Sequence, residues 1–135
     1  TLAFDTPATI SNFMTKTHYI DIKKAAVFPI VQGIRSLALR EKIRETTTVK
    51  RIKILEDKKI IEKNKAAELL EAFDVVNTLR LKAQLEDIQS GKKIDNEIDT
   101  QNLGKIERDL LKDSLKIVIE FKKFINHTFK IDKIS

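Results

Sequence analysis

The chain has 135 residues, of which 41% are hydrophobic and 34% charged, with a formal net charge of +6. This length suits one domain with a real core, and the composition excludes a disordered chain. No cysteine is present, which excludes disulfides and thiolate chemistry, and no apolar run is long enough to cross a membrane. We therefore predict a single cytoplasmic domain over residues 1–135, without a membrane partner. Because the chain begins at Thr1 without a Met, we expect it to be the C-terminal piece of a larger protein.

Charged residues of both signs are mixed along the whole length, with 26 basic and 20 acidic side chains. No block is strongly basic, which argues against a nucleic-acid partner. The densest basic run, Lys50, Arg51 and Lys53, is best interpreted as a solvated helix face. Glycine (3) and proline (2) are scarce, a composition that favours helices over strands.

The N-terminal part of the chain is predicted to contain one short helix and then an extended or irregular stretch. In the lead-in segment 1–19, Thr6 followed by Pro7 is typical of a helix start, and a short helix should run to about Lys16. Residues 18–27 show no helical period, so we expect them to be extended or irregular.

Pro29 then opens a second helix, predicted to end near Arg44. A threonine cluster follows, and either Thr46 or Thr47 is predicted to cap a third, shorter helix.

The fourth helix is long, from about residue 62 to residue 90, and Gly91 follows it where a left-handed residue is needed. After the loop 91–99, the side chain of Asp99 is predicted to cap a last helix over about 100–129. The sequence therefore predicts an all-α bundle of four to five helices, in which the two long helices pack as antiparallel partners.

Several polar side chains fall on the apolar faces of these helices. At 100° per residue, Asn77, Arg80 and Gln84 lie between the two apolar sectors of the long helix. Glu107 lies inside the apolar arc of the last helix, and Arg35 lies between apolar residues of the Pro29 helix. Because truncating one partner of a buried ion pair costs about 3–5 kcal/mol, these groups should find each other or a ligand.

Two interpretations of this polar set remain open. One is an internal network in which Glu107 bridges Arg35 or Arg80, while Gln84 and Asn77 complete the hydrogen bonds. The other is a cleft, lined by the arginine and glutamine side chains, that receives an anionic or nucleotide-like ligand.

An ordered set of short motifs extends over residues 20 to 129. It comprises Asp21-Ile22-Lys23, Arg35 with Leu37-Ala38-Leu39-Arg40, Glu45-Thr46-Thr47-Thr48 with Arg51, Leu70 with Ala72-Phe73, Leu79-Arg80-Leu81 with Gln84, the loop Gly91 to Asp99, and Leu103 with Glu107-Arg108 and Leu111-Lys112. In these motifs the sequence resembles the family of helical domains named "putative nucleotidyltransferase substrate-binding domain". It departs from that family between Lys23 and Pro29, where relatives commonly have glycine-type residues and this chain has Lys24-Ala25-Ala26-Val27-Phe28.

The resemblance implies an accessory domain that helps to hold a substrate. In that family the domain follows a nucleotidyltransferase domain related to that of bacterial signal-transducing uridylyltransferases, often with a pair of CBS modules or a cyclic-nucleotide-binding module. The substrate-binding residues that we predict are Lys23, Arg35, Arg80, Gln84 and Glu107. The arginines would face phosphate or carboxylate, Gln84 would read polar groups, Glu107 would orient an arginine, and Lys23 would lie at the rim.

Catalysis of nucleotidyl transfer needs clustered carboxylates that hold Mg²⁺ against a triphosphate. This chain contains no Gly-Ser followed by a D-x-D pair. We therefore expect it to be inactive alone, with Mg²⁺ and a nucleoside triphosphate bound by the nucleotidyltransferase domain of the same polypeptide.

Other functions are less well supported by the residues. The main alternative is a helical interaction module, or a dimerisation module that forms a homodimer, with a purely structural polar network. His18 and His127 lack partners at metal-ligand spacing. The alternation of Asp95, Glu97 and Asp99 lacks the glycine and terminal glutamate of a calcium loop, so we interpret it as a solvated loop with a helix cap.

Overall fold

A computed structural model describes residues 14–16 and 18–134, with side chains from residue 18 to residue 131. The elements are β1 (Met14–Lys16), β2 (Tyr19–Asp21), a π-helical segment (Lys23–Val27), α1 (Phe28–Arg40), α2 (Thr48–Asp57), α3 (Lys63–Gln89), β3 (Glu97–Asp99), a 3-10 turn (Thr100–Asn102) and α4 (Lys105–Ile134). The fold is mostly α-helical, as predicted. Within the described part of the chain, no helix combines the length and the apolarity needed to cross a bilayer.

The two long helices, α3 and α4, form an antiparallel hairpin, which confirms the predicted pairing. Lys65 near the start of α3 lies 3.3 Å from Glu120, late in α4, and Lys82 near the end of α3 lies 2.8 Å from Glu107, early in α4. The π-helical segment, α1 and α2 pack against the hairpin. The core between them consists of fully buried aliphatic side chains, among them Ile30, Ile34, Leu37, Ile52, Leu55, Val76, Leu111, Leu115 and Val118.

One glycine allows α1 to approach α4 closely. A Cβ atom placed on Gly33 would lie 2.5 Å from Cε2 of Phe121 and 3.1 Å from Cγ1 of Ile125. Real carbon atoms do not approach so closely, and both neighbours belong to the packed interior. Gly33 is therefore required by the spacing of these two helices.

Three helices end in the same way, with a residue in the left-handed conformation. Those residues are Lys42 (φ 58°), Lys59 (φ 61°) and Gly91 (φ 70°). The amide of the next residue closes each Schellman motif, through the bonds Ile43 N to Ala38 O at 2.9 Å, Ile60 N to Leu55 O at 3.0 Å and Lys92 N to Asp87 O at 2.8 Å. Ile43 and Ile60 then pack against the core. The prediction for Gly91 is confirmed, whereas the two lysines carry the strain of a Cβ in this conformation.

The N-terminal predictions are partly wrong. Met14–Lys16, predicted as the end of a short helix, is a strand, while Thr6 and Pro7 lie outside the described residues. Residues 18–27, predicted to be extended or irregular, contain the extended strand β2, and they depart from the prediction in the π-helical segment. Since Pro29 has no N–H, a regular α-helical pattern cannot run through it, and the turn before it widens instead.

The ends of two central helices are also set locally. α1 ends at Arg40 rather than near Arg44, because the left-handed Lys42 stops it. The N-cap of α2 is Thr47 and not Thr46, since its hydroxyl accepts from the amide of Lys50 at 3.4 Å.

The predicted cap of the last helix is wrong. Asp99 accepts a hydrogen bond from the amide of Gln101 at 3.0 Å and so caps the 3-10 turn. α4 begins only at Lys105, where the carboxylate of Glu107 reaches back to the amide of Gly104 at 3.1 Å. That bond satisfies an orphan donor of the first helical turn.

Replacing Lys59 by glycine should stabilise the chain by about 1 kcal/mol, because glycine adopts the left-handed conformation without steric strain. Urea unfolding measures the free energy of unfolding. Lys58→Gly is the matched control: Lys58 has an ordinary right-handed conformation (φ −79°), so its replacement should destabilise. A loss of stability in both variants would contradict the prediction.

Replacing Gly33 by alanine should destabilise the chain by about 1–3 kcal/mol, since the added methyl group overpacks the contact with Phe121. The control is Ser36→Ala on the exposed side of the same helix, which should change the unfolding free energy by less than about 0.5 kcal/mol. Equal stability of Gly33→Ala and the wild type would show that α1 and α4 can separate without cost.

Candidate functional site

A polar pocket of about 330 Å³ lies where the end of α3, strands β2 and β3 and the 3-10 turn before α4 meet. Five carboxylates and two lysines line it, namely Glu86, Asp87, Asp95, Glu97, Asp99, Lys82 and Lys92. The pocket is therefore acidic, although the whole chain carries a net charge of +6.

Strand pairing places the acidic side chains on the pocket side. β2 is the central strand of the small antiparallel sheet and pairs with β3, with Ile20 opposite Ile98 and Tyr19 opposite Asp99. Ile20 and Ile98 are buried in the core. Because side chains alternate along a strand, Tyr19, Glu97 and Asp99 point to the other face, where they line the pocket.

A buried threonine connects the 3-10 turn before α4 to the residue that precedes β2. Both the amide and the hydroxyl of Thr100 donate to the carbonyl oxygen of His18, at 2.9 Å and 2.7 Å. Thr100 is fully buried, and His18 Nε2 lies 3.6 Å from Asp99 Oδ1. Thr100 could not be predicted from the sequence, because a lone threonine in a polar loop carries no periodic signal.

Asp87 is the most unusual residue in the pocket. Its Oδ2 atom is buried, yet it accepts no hydrogen bond from any residue that the structure describes. A buried polar atom left without a partner costs about 1–3 kcal/mol, and more when it is charged. A signal for Asp87 was present in the sequence, since it follows Ala83 by four residues and so continues the apolar sector of α3.

The arrangement is suited to an organic group that donates hydrogen bonds. Within residues 14–16 and 18–134, no three His, Cys, Asp or Glu side chains are gathered closely enough to hold a metal ion. Separated carboxylates instead match hydroxyl and amino groups, which can donate to several acceptors at once. An anionic group would be repelled by the same lining.

Lys82 and Glu107 form an ion pair at the edge of the pocket. The hydrogen bond from Lys82 lowers the pKa of Glu107 below its ordinary value, and the bond from the backbone amide of Gly104 lowers it further. The same hydrogen bond with Glu107 raises the pKa of Lys82. Both groups are partly open to solvent, so the pair orients Lys82 more than it stabilises the fold.

The predicted internal network does not form. Glu107 bonds Lys82 and Gly104, not Arg35 or Arg80. Arg35 is exposed on α1, so its predicted burial is wrong. α1 turns inward the stripe that the sequence pattern predicts as its apolar face, through Ile30, Ile34, Leu37 and Ala38, which leaves Arg35 on the solvent side. Asn77 donates to the carbonyl of Phe73 at 2.8 Å, within its own helix.

Arg80 lies on a different side of α3 from Lys82 and contacts the loop before β3. Its Nε donates to Oδ1 of Asn96 at 3.0 Å, and the backbone oxygen of Asn96 accepts from Ile22 at 2.9 Å. Asn96 therefore bridges Arg80 and Ile22. Lys23, which follows Ile22, is exposed. Gln84, one turn after Arg80, is half-buried. The substrate-binding role of Lys23, Arg35, Arg80, Gln84 and Glu107 stays a prediction.

Comparison with known families identifies the class of protein. The model of the family "Putative nucleotidyltransferase substrate binding domain" matches residues 1–129. The chain therefore belongs to that family, as the motifs in the sequence indicated. No curated protein and no solved structure matches the chain.

The ion pair at the pocket edge predicts a specific dependence of stability on pH. Because the pKa of Glu107 is lowered in the folded state from an ordinary value of 4.5, its contribution is complete above that value. The contribution is lost as the pH falls through the folded-state pKa. The difference in unfolding free energy between the wild type and Glu107→Gln should thus shrink as the pH is lowered from 7 to 3.

Urea unfolding at several pH values measures this difference. Lys82→Met removes the main cause of the lowered pKa of Glu107. The pH dependence of its unfolding free energy should therefore move towards that of Glu107→Gln. A difference between the wild type and Glu107→Gln that stays constant down to pH 3 would rule out the pairing.

Proposed function

We propose that this chain is the accessory substrate-binding domain of a nucleotidyltransferase, and that its acidic pocket holds the acceptor substrate by hydroxyl or amino groups. The observation that carries the proposal is the buried Oδ2 atom of Asp87, which lacks a donor among the described residues. Membership of the family supports the general role, and the charge of the pocket supports the choice of ligand.

In nucleotidyl transfer a nucleophilic oxygen or nitrogen attacks the α-phosphorus of a nucleoside triphosphate, the bond between the α-phosphorus and the bridging oxygen breaks, and pyrophosphate leaves. An acidic pocket is suited to the nucleophilic partner, because carboxylates accept hydrogen bonds from its hydroxyl or amino groups. The same charge disfavours the triphosphate. The triphosphate and its Mg²⁺ therefore belong to the nucleotidyltransferase domain of the same polypeptide, and this chain positions the acceptor without catalysing the transfer itself.

Arg80 and Lys23 have a different role in this proposal. Among the described residues, Arg80 uses only Nε in its hydrogen bond with Asn96. Its remaining guanidinium N–H groups and the exposed Lys23 suit a phosphate or carboxylate. Together with Gln84 they would contact an anionic part of the substrate that lies outside the acidic pocket.

The test uses Asp87→Leu. Because the substitution removes a buried oxygen without a partner, it should stabilise this chain by about 1–3 kcal/mol, measured by urea unfolding. In the full-length polypeptide, the same substitution should raise KM for the acceptor at least tenfold while leaving KM for the nucleoside triphosphate unchanged. A residue that binds the acceptor at a cost to the stability of the fold should show both effects when it is replaced, a more stable chain and weaker acceptor binding.

The matched control is Asp74→Leu, which changes an exposed carboxylate on the same helix and should leave both KM values unchanged. If Asp87→Leu destabilises the chain, Asp87 is a structural residue. If it raises KM for the triphosphate instead, the pocket holds the nucleotide and the proposed ligand class is wrong.

A further inference from the structure

A second concave surface runs along the α3–α4 hairpin, towards the start of α3 and away from the acidic pocket. Two cavities of about 270 Å³ and 390 Å³ lie along it. They share Lys65, Glu68, Ile117 and Glu120, so they are parts of one groove. We refer to this surface as the hairpin groove.

The floor of the hairpin groove is apolar and open to solvent. Leu110, Ile117 and Phe124 follow one another at intervals of seven residues along α4 and line it. Leu110 is 41% exposed and Phe124 is 37% exposed, unlike the buried residues on the core side of the same helix. At 1.5 Å per residue, this apolar row is about 21 Å long. Val75 of α3 contributes to the facing wall.

The rim of the hairpin groove is acidic. Five carboxylates and two lysines line it, namely Glu62, Glu68, Glu71, Asp113, Glu120, Lys65 and Lys116. Lys65 lies 3.3 Å from Glu120 and 3.8 Å from Glu68, and these pairs neutralise part of the charge. The remaining carboxylates leave a negative border around an apolar floor, on a chain whose net charge is positive.

We propose that the hairpin groove docks a basic amphipathic helix of about four turns, supplied by a protein partner. A groove between two antiparallel helices, with apolar contacts every two turns, matches the apolar stripe of a third helix. Lysine or arginine residues beside that stripe would face the acidic rim. A second copy of this chain fits less well, because a two-fold contact through this surface would bring two acidic rims together.

The proposal is independent of the acidic pocket and of the substrate. The groove uses the first half of α3 and the middle of α4, whereas the pocket uses the end of α3 and the sheet. Asp87→Leu should therefore leave helix docking unchanged, which separates failure of this inference from failure of the proposed function.

The binding test uses fluorescence anisotropy with the 135-residue chain and two labelled synthetic peptides of 18 residues. Both place leucines at heptad spacing, one with lysines and the other with glutamates at the flanking positions. The lysine peptide should bind, the glutamate peptide should bind at least tenfold more weakly, and added salt should weaken the lysine peptide. Equal binding of both peptides, or binding of neither, would overturn the proposal.

Two variants locate the peptide on the protein. Phe124→Ser removes part of the floor, and Asp113→Lys reverses part of the rim, so each should weaken the lysine peptide about tenfold or more. Leu39→Ser is the matched control, because Leu39 is an exposed apolar residue on α1 outside the groove. A loss of binding in the control equal to that in Phe124→Ser would show that the peptide binds elsewhere.

Sedimentation velocity distinguishes a second copy from a foreign helix. The wild-type chain should remain monomeric at the concentrations used for peptide binding. A dimer that Phe124→Ser converts to a monomer would show that this surface pairs with itself, and would overturn the choice of partner.

Discussion

The packing of α3 against α4 is the constraint on which the rest of the structure depends. Ion pairs near both ends mark the antiparallel direction, and buried aliphatic side chains fill the space between the helices. Once this hairpin exists, the short helices can cover only one of its sides. The contact of α1 with α4 then requires a residue without a side chain, which Gly33 supplies.

The acidic pocket follows from the path that the chain takes between the two long helices. After the Schellman motif at Gly91 the chain returns across the end of the hairpin and pairs with β2. Two hydrogen bonds from Thr100 to the carbonyl of His18 fix that return. One consequence is that a carboxylate oxygen of Asp87 is buried without a donor. Such an atom lowers stability, and the proposed binding of a substrate in this pocket would give a physical reason for its presence.

Charge is divided unevenly over the surface. The pocket and the hairpin groove are both acidic in their linings, while the chain as a whole is basic. The excess positive charge therefore lies elsewhere, on exposed side chains such as Lys23, Arg35 and Lys53. The two acidic surfaces differ in their floors. The acidic pocket is polar and suits hydrogen-bond donors, whereas the floor of the hairpin groove is apolar and suits a packed helix. The proposed substrate and the proposed partner helix would therefore occupy separate places on the domain.

Local signals in the sequence determined the helices, because caps and left-handed positions depend on a few neighbouring residues. Such local signals predicted α3, its end at Gly91 and the threonine N-cap of α2. The three-residue strands were missed because they are too short to show a period. Only the tertiary structure decided which polar residues meet, since Arg35 and Glu107 lie between apolar sectors whose burial depends on the placement of other helices. A helical projection gives the direction of a side chain; whether that direction ends in protein or in water is set by packing between distant parts of the chain.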